Sequence, residues 1–283
     1  VKGRPYEAPV AGSQLEARLS TLARAFFEKA ERERRWSVFE DLPWGAALTA
    51  PPHELVHVVE TFFVLEASAP SFAGRSLEAM RCSPALTSFV TSWNFDKGKR
   101  LIAFREWLVR AAGRSHAELS QLELQALAAP LSLRGLEGLV SASRRLVFFG
   151  CLQEMVAFVT YAKHREVARR EQDECLRTLY DFLARDDIAH ARFLQQALAL
   201  HLEQDREGTL ADMAGVLSDF TLPGRTVLSD WETRMQAIRG PGLDLQTFIQ
   251  RVYVPVLKHL GVGRHEILRR RTAPPEHDGA ADG

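Results

Sequence analysis

The chain has 283 residues and 31.8 kDa, enough to bury a substantial core. Its 36 Lys and Arg equal its 36 Asp and Glu, so the formal net charge is zero. That balance argues against a nucleic-acid binder, which needs a basic excess to meet phosphate. At 46% hydrophobic and 25% charged, the composition is that of a globular protein rather than a disordered one.

Leu, Ala, Glu and Arg are abundant, and no segment alternates with a period of two. Helical periodicity predicts helices over 14–34, 52–68, 84–112, 134–168, 172–204, 209–220, 226–238 and 243–260. Pro51-Pro52 opens the second, and Ser83-Pro84 pairs an N-cap residue with a first-turn proline at the third. Gly113 follows the third, while Pro223-Gly224 and Gly240-Pro241-Gly242 divide the C-terminal part. The expected fold is all-α: an N-terminal helix and arm over 1–35, a bundle over 36–268 with short C-terminal helices, and a disordered tail over 269–283. No repeat of 20–50 residues points to a solenoid.

Cys82, Cys151 and Cys175 form no CxxC pair and are odd in number, which excludes a disulfide framework and favours a reducing, cytoplasmic setting. The first residues carry no apolar signal-peptide core. The most apolar run, 146–162, holds Gln153 and Glu154 at its middle, so no membrane span is expected.

Helices as apolar as Leu146–Leu152 and Val156–Tyr161 belong at a bundle's centre, which draws attention to the polar residues within them. Glu154 stands alone among Phe148, Phe149, Val156 and Phe158, and a buried carboxylate needs a partner. Thirty-three residues on, Asp187 and His190 lie three apart, on one helix face. A lone Glu plus a carboxylate-x-x-His is half of the dimetal site of ferritin-like bundles. Glu66, also in an apolar helix, would open the other half, but Lys97-Gly98-Lys99-Arg100 stands where its Glu-x-x-His is due. A solvated helix face remains open for Asp187 and His190, and for Lys97 and Arg100.

The surrounding segments resemble the acyl-carrier-protein desaturase family over roughly residues 35–220. Trp93-Asn-Phe-Asp-Lys97-Gly-Lys-Arg100 is similar to its Trp-x-x-Glu-Glu-x-Arg-His, Gln153-Glu154 to its Phe-Gln-Glu, and Asp186-Asp187-Ile-Ala-His190 to its Asp-Glu-x-x-His. Glu66-Ala-Ser-Ala-Pro70-Ser-Phe72 is similar to its Glu-Ala-Leu-Pro-Thr-Tyr. The resemblance implies a ferritin-like bundle, a homodimer, and two irons that activate O2 to desaturate an acyl chain. It makes Glu154, Asp187 and His190 second-metal ligands and Glu66 a first-metal ligand, with Lys97 in place of a bridging Glu and Arg100 in place of a His.

Neither cation can ligate while protonated. Three carboxylates, Glu66, Glu154 and Asp187, against Lys97 and Arg100 leave one negative charge, or none once His190 is protonated. A metal-free salt-bridge network is therefore expected, with no cofactor favoured. Iron or another divalent metal on Glu154, Asp187 and His190 is the alternative, if Arg100 swings away.

The leading expectation is an enzyme acting on an acyl-type or small hydrophobic substrate, free or tethered to an acyl carrier protein, in an inter-helical cavity. Its site would be Glu66, Lys97, Arg100, Glu154, Asp187 and His190, and its chemistry would no longer be O2-dependent desaturation. An inactive binding or partner subunit, and an oxidoreductase with one metal or an atypical pair, are the other readings. Cys151 lies one turn before Glu154 and reads as cavity wall or core. His57 and Glu60 are placed on a face displaced from Glu66. Arg144-Arg145, Arg169-Arg170 and Arg269-Arg270-Arg271 read as a solvated face or a dock for an acidic carrier.

Overall fold

The computed structural model describes residues 14–128, 143–219, 228–239 and 245–271. Among them are helices α1 (Gln14–Glu33), α2 (His53–Ala67), α3 (Ala69–Met80), α4 (Pro84–Arg110), α5 (His116–Ala128), α6 (Ser143–Arg170), α7 (Glu174–Gln204), α8 (Arg206–Asp219), α9 (Trp231–Arg239), α10 (Leu245–Phe248), α11 (Val254–His259) and α12 (Arg264–Arg271), and no strand. The fold class is the expected all-α bundle with short C-terminal helices. The predicted starts at 134, 226 and 243, and the predicted end at 220, lie outside the described residues, as does the tail from 272. Residues 269–271, expected to begin that tail, are still helical.

Three helices went unpredicted. Pro70 reads as a stop after α2, yet Pro is tolerated in a helix's first turn, and α3 restarts on it. In α5 only Leu119 and Ala126 are buried, so its apolar residues trace no stripe. α12 anchors on Ile267 among charged residues.

Local capping fixes where the long helices begin. Ser83 Oγ accepts from Leu86 N–H at the start of α4, and the Glu16 carboxylate of α1 accepts from Ser83 Oγ at 2.7 Å and Ala85 N–H at 3.0 Å. At the start of α7 the buried Asp173 accepts from Leu176 N–H at 2.8 Å, Trp107 Nε1 of α4 at 2.9 Å and Leu48 N–H at 3.1 Å. One carboxylate thus ties α7, α4 and the loop before α2 together. Between α10 and α11 the helix widens into a π turn, Ile249–Tyr253, just ahead of Pro255, whose ring clashes with a regular i−4 carbonyl.

α6 and α7 pack along most of their length, with α2 against α4, and α4 against α1, α3 and α7. The interior is two apolar clusters. One gathers around Phe26, Phe89, Trp93, Phe148 and Phe193, the other around Phe62, Phe104, Tyr161 and Tyr180. The boundary between them crosses three helices at matching heights: Trp93 and Ala103 on α4, Val156 and Tyr161 on α6, and Ala191 and Ala184 on α7 belong to opposite clusters. Two helical stretches, His53–Met80 and Ser143–Arg170, are long and apolar enough to cross a membrane by composition alone, which the sequence reading did not anticipate. In them 61% and 67% of the most apolar window is buried against other helices.

Candidate functional site

The charged residues sit at that boundary. Glu66 comes from the last turn of α2, Lys97 and Arg100 from α4, Glu154 from α6, and Asp187 and His190 from α7. All six candidates meet. Glu66, Arg100, Glu154, Asp187 and His190 are buried, and the Lys97 side chain is 12% exposed. The solvated-face alternatives therefore fall away.

Lys97 Nζ lies 3.1 Å from Glu154 Oε1 and 3.8 Å from Glu66 Oε1. Arg100 Nη1 lies 2.5 Å from Asp187 Oδ1 and 3.8 Å from the same Glu66 oxygen. The Arg100 contact is ionic rather than forked, since none of its guanidinium nitrogens makes a directed hydrogen bond among the described residues. His190 donates from Nδ1 to Glu154 Oε2 at 3.0 Å and from Nε2 to Asp96 Oδ2 at 3.1 Å.

Two members went unrecognised in the sequence. Asp96 bridges His190 and Lys99, whose Nζ is 2.9 Å from Asp96 Oδ1. Tyr161 donates its hydroxyl to Glu66 Oε1 at 3.0 Å. Spacing held the signal in both cases: Asp96 is one turn before Arg100, and Tyr161 two turns after Glu154.

Burial and Arg100 push Lys97 down, but Glu154, Glu66 and Asp187 outweigh them and raise its pKa above the ordinary lysine value. Burial likewise opposes Arg100, and Asp187, Glu66 and Glu154 raise it well above its usual range. Against burial, Lys97 and His190 hold Glu154 well below the usual carboxylate range. His190 is raised by Asp96 and Glu154 despite its burial, and Asp96 is depressed by His190 and Lys99 despite its own. Both His190 nitrogens thus donate, as an imidazolium. Asp187 goes the other way: burial and the adjacent Glu154 push it up, against the pull of Arg100. Four carboxylates (Glu66, Asp96, Glu154, Asp187) and four cations (Lys97, Lys99, Arg100, His190) cancel when all are ionised.

The side chains of this centre that reach solvent most are on α4. The Asp96 and Lys99 side chains are 19% and 16% exposed, and Lys99 Nζ sits 4.5 Å over the Trp36 ring and 5.6 Å from that of Phe95. An open groove of about 430 Å³, lined by Phe27 of α1 and Ser88, Thr91, Ser92 and Phe95 of α4, begins one turn before Asp96. Ligand atoms of Glu154, Asp187 and His190 lie within 4.8 Å of one another.

The remaining candidates have other work. Cys151 is fully buried, bonds to the Gln195 side chain, and burial pushes its thiol up to about 12. Glu60 pairs with Arg114 and Arg234. Arg144 and Arg145 face Asp205 and Asp212, and Arg169 faces Glu166, so these arginines are engaged within the chain. The side chains of Arg270 and Arg271 lie outside the described residues.

A family model described as fatty acid desaturase matches residues 120–269, more than half of the chain. The match includes Glu154, Asp187 and His190 and begins after Glu66, Lys97 and Arg100. Among solved structures, the chain is similar to the X-ray structure of DesA2 from Mycobacterium tuberculosis H37Rv, described as an acyl-ACP desaturase, with 16% identity and a TM-score of 0.64 over 92% of this chain and 100% of that one. At that identity the likeness establishes the ferritin-like bundle fold. No curated protein matches.

Proposed function

The chain belongs to the fatty acid desaturase family, and from that premise we propose that it acts on an acyl-type substrate through a charged centre that has taken the place of two irons. The observation that carries this reading is the engagement of both His190 nitrogens by Glu154 and Asp96. A metal ligand must offer a lone pair, and an imidazolium has none to give. Lys97 and Arg100, which can offer none either, lie against Glu66, Glu154 and Asp187, the carboxylates two metals would need. The residues present do not fit a di-iron pair.

What such a centre offers is proton donation and stabilisation of negative charge. Lys97, the most exposed of the six, is suited to hydrogen-bond a substrate carbonyl or anion, and its charge would stabilise an oxyanion there. Asp187 holds Arg100 in place, and Glu154 and Asp96 fix the imidazolium between them. The groove along α4 is the approach we assign to the acyl chain. A carrier-tethered substrate and a homodimeric assembly extend the same reading.

Iron analysis of protein expressed with iron supplied tests it. Well under two irons per chain is the expected result, and two tightly bound irons would sink the proposal. The 4.8 Å cluster of Glu154, Asp187 and His190 favours a second reading, a single divalent metal. It requires His190 to lose a proton and Arg100 to leave Asp187; one ion per chain, absent in His190→Ala, would identify it.

A further inference from the structure

His53-Glu54-Leu55-Val56-His57 spells His-Glu-x-x-His, and all five residues lie in the first turns of α2. On a helix this spacing sets two imidazoles on one face, the arrangement that zinc-binding helices use. Here the two rings already meet, with centroids 3.9 Å apart and planes at 50°. No described residue hydrogen-bonds to either ring. The pair is remote from the charged centre: Glu66 lies nine residues further along α2, about 14 Å at the helical rise.

Only Glu154, Asp187 and His190 already bring three ligand atoms within 4.8 Å among the described residues, so a third ligand for this pair has to reach it by a side-chain rotation, and Asp230 is the carboxylate placed to do so. Arg234 of α9 donates from Nη1 to the His57 carbonyl at 3.3 Å and from Nε to Asp230 Oδ1 at 2.7 Å, which holds Asp230 beside α2. Its other terminal nitrogen is 2.8 Å from Glu60 Oε1, whose second oxygen is 2.7 Å from Arg114. Glu60 is therefore fully used, whereas Asp230 is 40% exposed and engages Arg234 through one oxygen. Glu60 and Asp230 balance Arg114 and Arg234, so no net positive charge opposes a cation there.

We propose that His53 and His57 hold a divalent cation of the zinc class, with Asp230 as third ligand and water as fourth. The ion would join the start of α2 to α9. This site is independent of the chemistry assigned to the Lys97–Glu154 centre.

The test is titration of the full chain with zinc by calorimetry and with cobalt(II) by its visible absorption. One ion per chain is expected at about micromolar affinity or tighter. His53→Ala and His57→Gln should each weaken binding by at least about 100-fold, and Asp230→Asn by at least about 10-fold. Zinc should also raise the Tm of the wild type and leave that of either histidine variant unchanged. His53 is exposed, so its truncation leaves the fold intact. No ion bound at about 100 μM free metal, or undiminished binding in any of the three variants, overturns the site.

Discussion

Lys97 Nζ lies 3.1 Å from Glu154 Oε1, an ammonium against a fully buried carboxylate. Removing one member of such a pair leaves the other charge uncompensated, at a cost of about 3 kcal/mol or more. Lys97→Met should therefore lower stability by about that amount, and adding Glu154→Gln should recover part of the loss, as a double-mutant cycle in urea would report. If the centre is catalytic, turnover of an acyl substrate by Lys97→Met should vanish under conditions where the variant remains folded.

Lys97→Glu with Arg100→His replaces two cations by two ligands, in a bundle that already brings Glu66, Glu154, Asp187 and His190 together. The double variant is expected to gain iron or cobalt(II) at this centre, with more metal per chain than the wild type. Elemental analysis and cobalt(II) absorption, compared in a His53→Ala background, check it.

Burial holds His164 and His201 at about 4, below the ordinary 6.5. Both are neutral in the fold, while the unfolded chain takes up protons as pH falls below 6.5. Stability should therefore fall between pH 6.5 and 4, by about 1.4 kcal/mol per pH unit for each fully shifted histidine. His190, raised by its carboxylates, has the opposite sign: its contribution is full below 6.5 and is lost as pH rises through its folded value. Urea unfolding at pH 5 and 6 should show the decline, and His164→Gln should flatten it.

Asp173 serves Leu176 N–H, Trp107 Nε1 and Leu48 N–H at once. Asp173→Ala strips an N-cap and two further acceptor contacts from a buried position, and should cost about 2–4 kcal/mol. Hydrogen exchange should quicken at the first turn of α7 and in the loop around Leu48.

The long helices were legible because their apolar residues recur at helical spacing on either side of the charged layer, and their caps sit where Ser83 and the prolines predicted. α3 and α5 were not, since Pro70 looks like a terminator and α5 buries too little to show a period. In the centre, Glu154 declared itself as a lone carboxylate in an apolar helix, and the i,i+3 pair 187/190 followed from spacing. Asp96 and Tyr161 stayed hidden because a polar run and an aromatic in a core helix look ordinary; what distinguishes them is the partner each meets from another helix.

The boundary between the two apolar clusters has a consequence for how the helices settle against one another. Sliding α4 by one turn, about 5.4 Å, would carry the fully buried Arg100 away from Asp187 and into Phe or Leu side chains, while Glu66 and Asp187 lost their cations. Apolar surfaces alone tolerate such slips, because one greasy turn resembles the next. A layer of interlocked charges does not, so it acts as a key that admits a single axial alignment of α2, α4, α6 and α7.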